Sequence, residues 1–296
     1  GPTLASGSLA MLIPPSAPAV LLGSIAQIPV GDLLIAGIVP GVLMALAFIL
    51  YIVVVCWRHP ELAPNYGVTA VRWRERLLSL VTDVVPLALI FLMVIGPLFA
   101  GVATPTESAA LGALGALIIL ALYRRLNWSV VKGSLLSTLR ISGMILMIVA
   151  GSSIYSQLLA YSGLSGQIAR LVLALAAPPW IIVGAMLVIV LIMGCFMEMT
   201  AIMMITLPLF MPVVSGLGVD PVWFGILMLI ALDLGGLTPP FGMTLFVMKG
   251  VTPPEVTMGH IIWAAVPFIA VELVVLLVVF AFPSLAVWLP QVAKSG

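Results

Sequence analysis

The stretch Leu234-Gly-Gly-Leu-Thr-Pro-Pro-Phe-Gly242 has the residue types to hold an ion. It lies in an apolar region, yet its glycines and proline pair forbid a continuous α-helix. In lipid, backbone without helical partners persists only where protein buries it or where it lines a wet cavity. A helix broken at membrane depth presents carbonyls at the end of its first half and N–H groups at the start of its second. The carbonyls attract a cation and the N–H groups an anion. Gly235, Gly236, Pro239 and Gly242 shape this backbone, and Thr238 adds a hydroxyl. Pro240 is placed on the side that meets an anionic substrate.

A second polar interruption is Gly194-Cys-Phe-Met-Glu-Met-Thr200. It joins two apolar arms, each short of the roughly 20 residues that cross a bilayer. The pattern predicts a re-entrant hairpin over 180–214, with an elbow that faces the break and adds Glu198 and Thr200. Hard cations take oxygen ligands, and carbonyl, hydroxyl and carboxylate are all present here. Glu198 has a second reading, as a carboxylate at a wet hairpin mouth without a role. Asp233 stands in an apolar helix, where a carboxylate is costly and marks function. Glu272, in the last span, either pairs with another subunit or faces a cavity.

The break has a counterpart. Leu12-Ile-Pro-Pro aligns with Leu237-Thr-Pro-Pro at an offset of 225 residues, and Pro29 with Pro254 at the same offset. Val39-Pro40 then aligns with Val266-Pro267 at an offset of 227. The shared order is a broken helix, a loop and a bent span. By this repeat, Ser6, Gly7 and Ser8 serve a first ion site, and Pro14, Pro15 and Ser16 meet the substrate.

These segments need a frame of helices. Of 296 residues, 63% are hydrophobic and 7% charged, against about a quarter charged in soluble domains. With a mean hydropathy of +1.33, the chain is an integral membrane protein. A net charge of +1 argues against a nucleic-acid partner. Spans are expected over 32–56, 84–102, 104–123, 142–161 and 258–287. Pro40 and Gly41 bend the first, and Thr104 or Thr106 caps the third with Glu107 in its first turn. Arg58, Arg72, Arg74 and Arg76 form one basic cluster, and Arg124, Arg125, Lys132 and Arg140 another, partly on an amphipathic stretch over 128–139. Two spans separate the clusters, so both lie on one face, and their charge makes it cytoplasmic.

Residues 164–177 read as a helix in the interface. The hairpin then being re-entrant, the two copies are inverted, as in secondary transporters with a midplane site. If 164–177 spans instead, the copies are parallel. The fold class is an all-α membrane protein, a multi-span helical bundle with inverted repeats, a re-entrant hairpin and two broken helices. Its parts are 1–56, the end of a first repeat; 57–83, a cytoplasmic amphipathic connection; and 84–296, a second repeat with scaffold spans, hairpin 180–214, broken helix 222–249 and last span 258–288.

Cys56 and Cys195 lie in apolar runs and read as small buried hydrophobes. His59 reads as a solvated loop residue and His260 as interfacial. With two histidines, neither beside a partner, no nucleophile–base or metal constellation of an enzyme is present. A non-transporting scaffold would gain nothing from broken backbone at the midplane. A channel-like anion pathway is a variant of the transporter.

The motifs Gly194–Thr200, Gly218-Val-Asp-Pro221 and Gly236-Leu-Thr-Pro-Pro-Phe-Gly-Met-Thr-Leu-Phe246, with Ile13-Pro-Pro-Ser16, Ala36-Gly-Ile-Val-Pro-Gly41 and Gly101-Val-Ala-Thr-Pro-Thr-Glu107, carry a resemblance over nearly the whole chain. The chain resembles the large membrane subunit of tripartite ATP-independent periplasmic (TRAP) transporters. The resemblance implies an elevator-type transporter in the bacterial inner membrane, driven by sodium as coupling ion and needing no cofactor. It implies a small four-span membrane subunit and a periplasmic substrate-binding protein that delivers an organic acid. The family commonly has Asp at position 198 and often Asn at 233, so Glu198 and Asp233 are departures. A first hairpin is expected ahead of Gly1, so the chain reads as lacking the N-terminal part of such a subunit.

Overall fold

The computed structural model describes residues 1–62, 73–175, 177–253 and 255–295. Arg72 and Pro254, and with Pro254 its match to Pro29, lie outside the described residues.

The chain is helical. A first broken pair, α1 (Pro2–Leu12) and α2 (Ala17–Ala26), precedes α3 (Val30–Ala36) and α4 (Ile38–Arg58). A 3-10 turn covers Pro60–Leu62. Then come α5 (Trp73–Ser79), a π-helical turn (Leu80–Val84), α6 (Val85–Phe99), α7 (Pro105–Leu122) and α8 (Trp128–Tyr161). They are followed by α9 (Leu164–Ala174), α10 (Pro179–Gly194), α11 (Met199–Gly216), α12 (Pro221–Leu237), α13 (Met243–Val251), α14 (Met258–Ala281) and α15 (Ser284–Ser295). Among the described residues there is no strand, and six helical stretches are long and apolar enough to cross a membrane, or seven if α1 and α2 count as one. The protein is an all-α membrane protein.

The chain forms two compact units, Gly1–Ile49 with Met144–Ser295, and Leu50–Gly143. The division falls inside α4 and α8, whereas composition divides the chain after residues 56 and 83.

The first unit is built around α12. Its residues from Trp223 to Gly235 are all buried. An apolar run with no polar face must be covered on every side, and α1, α2, α3, α10, α11, α13, α14 and α15 all pack on it. Local sequence sets where α12 begins. Gly218, at φ +66°, ends α11 in the left-handed region that suits glycine. Asp220 then caps α12, its Oδ1 accepting from the N–H of Val222 at 2.8 Å and of Trp223 at 3.2 Å. Trp223 Nε1 donates to the Val279 carbonyl at 2.9 Å and pins α12 to α14.

Both interruptions predicted in helical runs are present. α1 and α2 meet at 41°. Ser16 joins them, donating to the Met11 carbonyl at 2.6 Å while accepting from Ala19 N–H at 3.2 Å. α12 and α13 are parted by 238–242, and each break carries a cis Pro-Pro bond, Pro14–Pro15 and Pro239–Pro240. The span expected over 32–56 is present as the stretch Val30–Arg58, which a turn at Gly37 divides into α3 and α4. Pro40 stands in the first turn of α4, where proline is tolerated and does not bend a helix. A Cβ on Gly37 would lie 2.3 Å from the Leu12 carbonyl oxygen. Glycine there lets the chain pass directly over the end of α1. α9, at 11 residues, is about 16 Å long and too short to cross. It packs on α11.

In the second unit, α6 packs on α7 through small residues. Ser108, Gly112 and Gly115 are buried on one stripe of α7, and Cβ atoms at Gly112 and Gly115 would meet Val94 and Met93 at 2.4 and 2.6 Å. Thr104, not Thr106, is the cap. It forms a capping box with Glu107, whose carboxylate accepts from Thr104 N–H at 2.7 Å and Oγ1 at 2.8 Å. The run that includes the 84–102 span starts at Trp73, inside the 57–83 segment, and passes through the π-helical turn. Pro86 cannot donate to the Thr82 carbonyl four residues back. That carbonyl accepts from the Tyr123 hydroxyl instead. The expected amphipathic stretch over 128–139 and span over 142–161 are one helix, α8, about 51 Å long, because no proline separates them. Cys56 and Cys195 are free and half-buried rather than fully buried.

Asp220→Ala leaves two N–H groups of α12 without an acceptor. It should lower stability by about 1 kcal/mol, read as a lower Tm in detergent; an unchanged Tm would show that water caps the helix equally well.

Candidate functional site

α12 ends because the residues after Leu237 cannot continue it. Pro239 and Pro240 supply no N–H. The freed carbonyls are partly satisfied by Thr238, whose Oγ1 donates to Leu234 O at 2.6 Å and whose N–H donates to Gly235 O at 3.1 Å. The Thr238 hydroxyl thus closes the helix end and keeps only its lone pairs free. Gly242 starts α13, and a Cβ on it would lie 2.6 Å from Gly236 O and 2.9 Å from Thr238 O. Only glycine lets the break fold back this tightly.

The hairpin elbow approaches from α10. Gly194 and Gly235 meet backbone to backbone: a Cβ on Gly194 would lie 2.6 Å from Gly235 Cα, and one on Gly235 would lie 2.8 Å from Gly194 Cα. Beyond this crossing, Phe196 and Phe241 pack with ring centroids 5.9 Å apart and join the elbow to the break. Glu198 caps α11. Its Oε2 accepts from Thr200 N–H at 2.8 Å and Ala201 N–H at 3.3 Å, and its Oε1 accepts from Thr200 Oγ1 at 2.8 Å. The carboxylate is held in place but remains exposed, with acceptor capacity to spare.

Between elbow and break lies a cavity of about 70 Å³, lined by Glu198 and Asp233, by Gly236 and Thr244, and by Met11 and Met197 among others. It has room for an ion with a water or two, and it is far below the roughly 300 Å³ of a small-molecule site. The structure therefore brings together Glu198, Asp233 and Gly236. Gly235 stands behind the cavity as the packing contact, Gly242 as the turn, and Thr238 as the cap. Thr200 reaches the site through Glu198. Thr244 and Met11 are additions. Thr244 lies in the first turn of α13, where a hydroxyl beside a helix break is the signal that could have found it.

Asp233 has a second set of neighbours. Its carboxyl and that of Glu272 on α14 face each other, and Ser8 on α1 faces both. Asp233 is 7% exposed, Ser8 2% and Glu272 0%. Ser8 Oγ, Asp233 Oδ2 and both Glu272 oxygens lack a hydrogen-bond partner of good geometry. Glu272 thus faces buried groups of its own chain.

The other residues expected to serve a first ion site do not gather. Ser6 is exposed and donates to Thr3 O of its own helix at 2.8 Å, and Gly7 is exposed. Of the residues expected to meet a substrate, Pro14 and Ser16 are buried at the first break, with Ser16 occupied in joining its halves, while Pro15 and Pro240 are exposed. Among the described residues no three His, Cys, Asp or Glu side chains cluster as a metal site.

The glycine pair yields a test. Gly235→Ala forces α10 and α12 apart, since its Cβ meets backbone, and overpacking of this kind costs about 1–3 kcal/mol. Gly236→Ala meets only Thr244 Oγ1, at 3.4 Å. The first variant should melt well below the second; equal melting temperatures would show that α10 gives way freely.

The family model described as "Tripartite ATP-independent periplasmic transporter, DctM component" matches residues 2–285. The C4-dicarboxylate TRAP transporter large permease protein DctM of Pseudomonas aeruginosa is 33% identical over 97% of this chain and 66% of its own length. The isethionate TRAP transporter permease protein DctMQ of Oleidesulfovibrio alaskensis is 32% identical over 95% of this chain and 44% of its own. The sialic acid TRAP transporter large permease protein SiaM of Vibrio cholerae is 29% identical over 98% of this chain and 67% of its own. The chain spans about two thirds or less of the length of these relatives. Its match runs through both broken pairs, the hairpin and α14, and the chain belongs to the family of TRAP transporter large permease subunits, which are transporter components and not enzymes.

Proposed function

We propose that this chain carries the ion site of a sodium-coupled transporter of a small organic acid in the bacterial inner membrane. The observation that carries the reading is the ion-sized cavity where the carboxylates of Glu198 and Asp233 meet a broken helix. Sodium prefers such oxygen ligands. Gly236 lets the backbone border the cavity, and the Thr244 hydroxyl adds a further oxygen. Two carboxylates beside an apolar core carry a charge that favours a cation over an organic anion in this space. The acid then binds where the occupied cation supplies attraction, near the breaks that hold Pro14, Pro15 and Pro240.

The two broken pairs are read as inverted copies in an elevator-type subunit. Ser8 and Asp233 support this, since they meet in space and stand 225 residues apart, the offset of the repeat. The relatives' names concern C4-dicarboxylate, isethionate and sialic acid, and they support an organic acid as substrate class. A small membrane subunit and a periplasmic substrate-binding protein complete the complex.

The test is uptake by proteoliposomes that hold the intact subunit with both partners. An inward sodium gradient should drive accumulation of a carboxylate, and collapse of the gradient should stop it. Glu198→Gln should raise the sodium half-saturation concentration by about tenfold, the equivalent of ~1.4 kcal/mol. Gly236→Val should fill the cavity and abolish uptake in a folded protein. Accumulation without sodium, or an unchanged sodium dependence in Glu198→Gln, would overturn the reading.

A further inference from the structure

The second unit holds an apolar groove of its own. α6 and α7 pack closely where Val94 and Met93 meet Gly112 and Gly115. Toward the end of α7 the facing residues become large, and the two helices leave a groove of about 430 Å³ between them. Val85, Pro86 and Leu89 form one wall, and Ile119, Leu122 and Tyr123 the other. The groove is polar only at one end, where the Tyr123 hydroxyl donates to the Thr82 carbonyl. From residue 82 to residue 89 it is about 10 Å long, a third of a span and too short to seat a partner helix along its length. The chain turns at the polar end. Arg124 stands in the left-handed region at φ +54°. Its N–H donates to the Ala121 carbonyl at 2.9 Å, and Arg125 N–H donates to the Leu120 carbonyl at 2.9 Å. This pattern closes a helix, usually with glycine where Arg124 stands. It fixes the backbone of both arginines directly after Tyr123. Both are exposed, and among the described residues neither side chain has a hydrogen-bond or ion-pair partner. Over 73–83 and 123–132 the sequence carries Arg74, Arg76, Arg124, Arg125 and Lys132 against Glu75 and Asp83, a positive balance. Trp128 begins α8 just beyond and is 76% exposed, as aromatic residues at the membrane–water boundary are. A soluble anion has no use for the apolar slot, and an apolar helix has none for the arginines. The two together complement an acyl chain joined to an anionic headgroup.

We propose that an anionic phospholipid binds this groove, with an acyl chain between α6 and α7 and its phosphate on Arg124 and Arg125. The guanidinium groups donate to the phosphate oxygens. The Tyr123 ring walls the slot, and its bond to Thr82 keeps it there. A second apolar groove, of about 290 Å³, lies between α7 and α8 and is lined by Leu117, Leu120, Val131 and Leu135 among others. It reaches the same turn and takes another chain of the same lipid.

Photolabelling of the intact subunit with both partners tests this. The complex is placed in phosphatidylcholine liposomes that hold a minor part of phosphatidylglycerol with a photoactivatable group on an acyl chain. Irradiation and peptide mapping should find the label within 82–89 or 119–123, and unlabelled phosphatidylglycerol should displace it. The same probe built on phosphatidylcholine should label these residues on the order of tenfold less, and Arg124→Gln with Arg125→Gln should bring phosphatidylglycerol down to that level. Leu89→Trp fills the slot without changing charge and should also lose the label; it stands alone as the test if the double arginine variant does not assemble. Equal labelling by the two lipids, or labelling that survives the substitutions, overturns the proposal. So does label on the small membrane subunit in place of these residues, which would show that protein covers the groove. The experiment reads lipid, so its result is the same whether or not sodium drives transport.

Discussion

The contact of Gly194 with Gly235 sets the position of everything at the candidate site. Two helices normally keep their axes 8–10 Å apart because side chains lie between them. Here neither helix has a side chain at the crossing, and the backbones touch. The last turn of α10 is thereby brought against the last turn of α12. One turn further on, the elbow must emerge beside the break. Membrane helices have little hydrophobic drive to associate with each other, so close backbone packing through small residues is a main source of their adhesion. The aromatic pair Phe196–Phe241 closes the same junction from the outer side.

A break at the end of a fully buried helix is costly unless its freed groups find partners. The two breaks solve this differently. At the first, Ser16 reaches back to the Met11 carbonyl and forward to Ala19, so one side chain serves both halves. The neighbouring Gly37 seats directly on Leu12. At the second, Thr238 serves only α12, and Gly242 folds the chain back over Gly236. The second break therefore faces an ion-sized cavity, with the Glu198 carboxylate held in place by the start of α11. The same carboxylate caps α11 and lines the cavity, because a helix start offers N–H groups that hold it in place while acceptor capacity stays free.

Two carboxyls of the first unit stand where a charge is hardest to keep. Asp233 is buried in the helix that all neighbours cover, and Glu272 is placed to meet it. An apolar residue at either place would pack at lower cost. Their position behind the cavity ties the most expensive groups in the unit to the ion-sized space between elbow and break.

Composition and hydropathy by themselves determined that this is an all-α membrane protein, because apolar runs of spanning length leave no other solution in lipid. The proline pairs and glycines located both breaks and the elbow, since the constraints of those residues are local. The cap at Thr104 was narrowed to two residues for the same reason. Only the tertiary structure decided which of the named residues meet. Glu198 and Asp233 are 35 positions apart, and nothing in that spacing states that a glycine crossing brings them to one cavity. Glu272 could not be placed from sequence, because a carboxyl in an apolar run does not reveal which helix covers it. Ser6, Gly7 and Ser8 looked equivalent in sequence, yet the packing of α1 on α12 buries Ser8 and leaves the other two exposed. Residue type states what a group can bind; the faces that helices turn to one another determine which groups bind together.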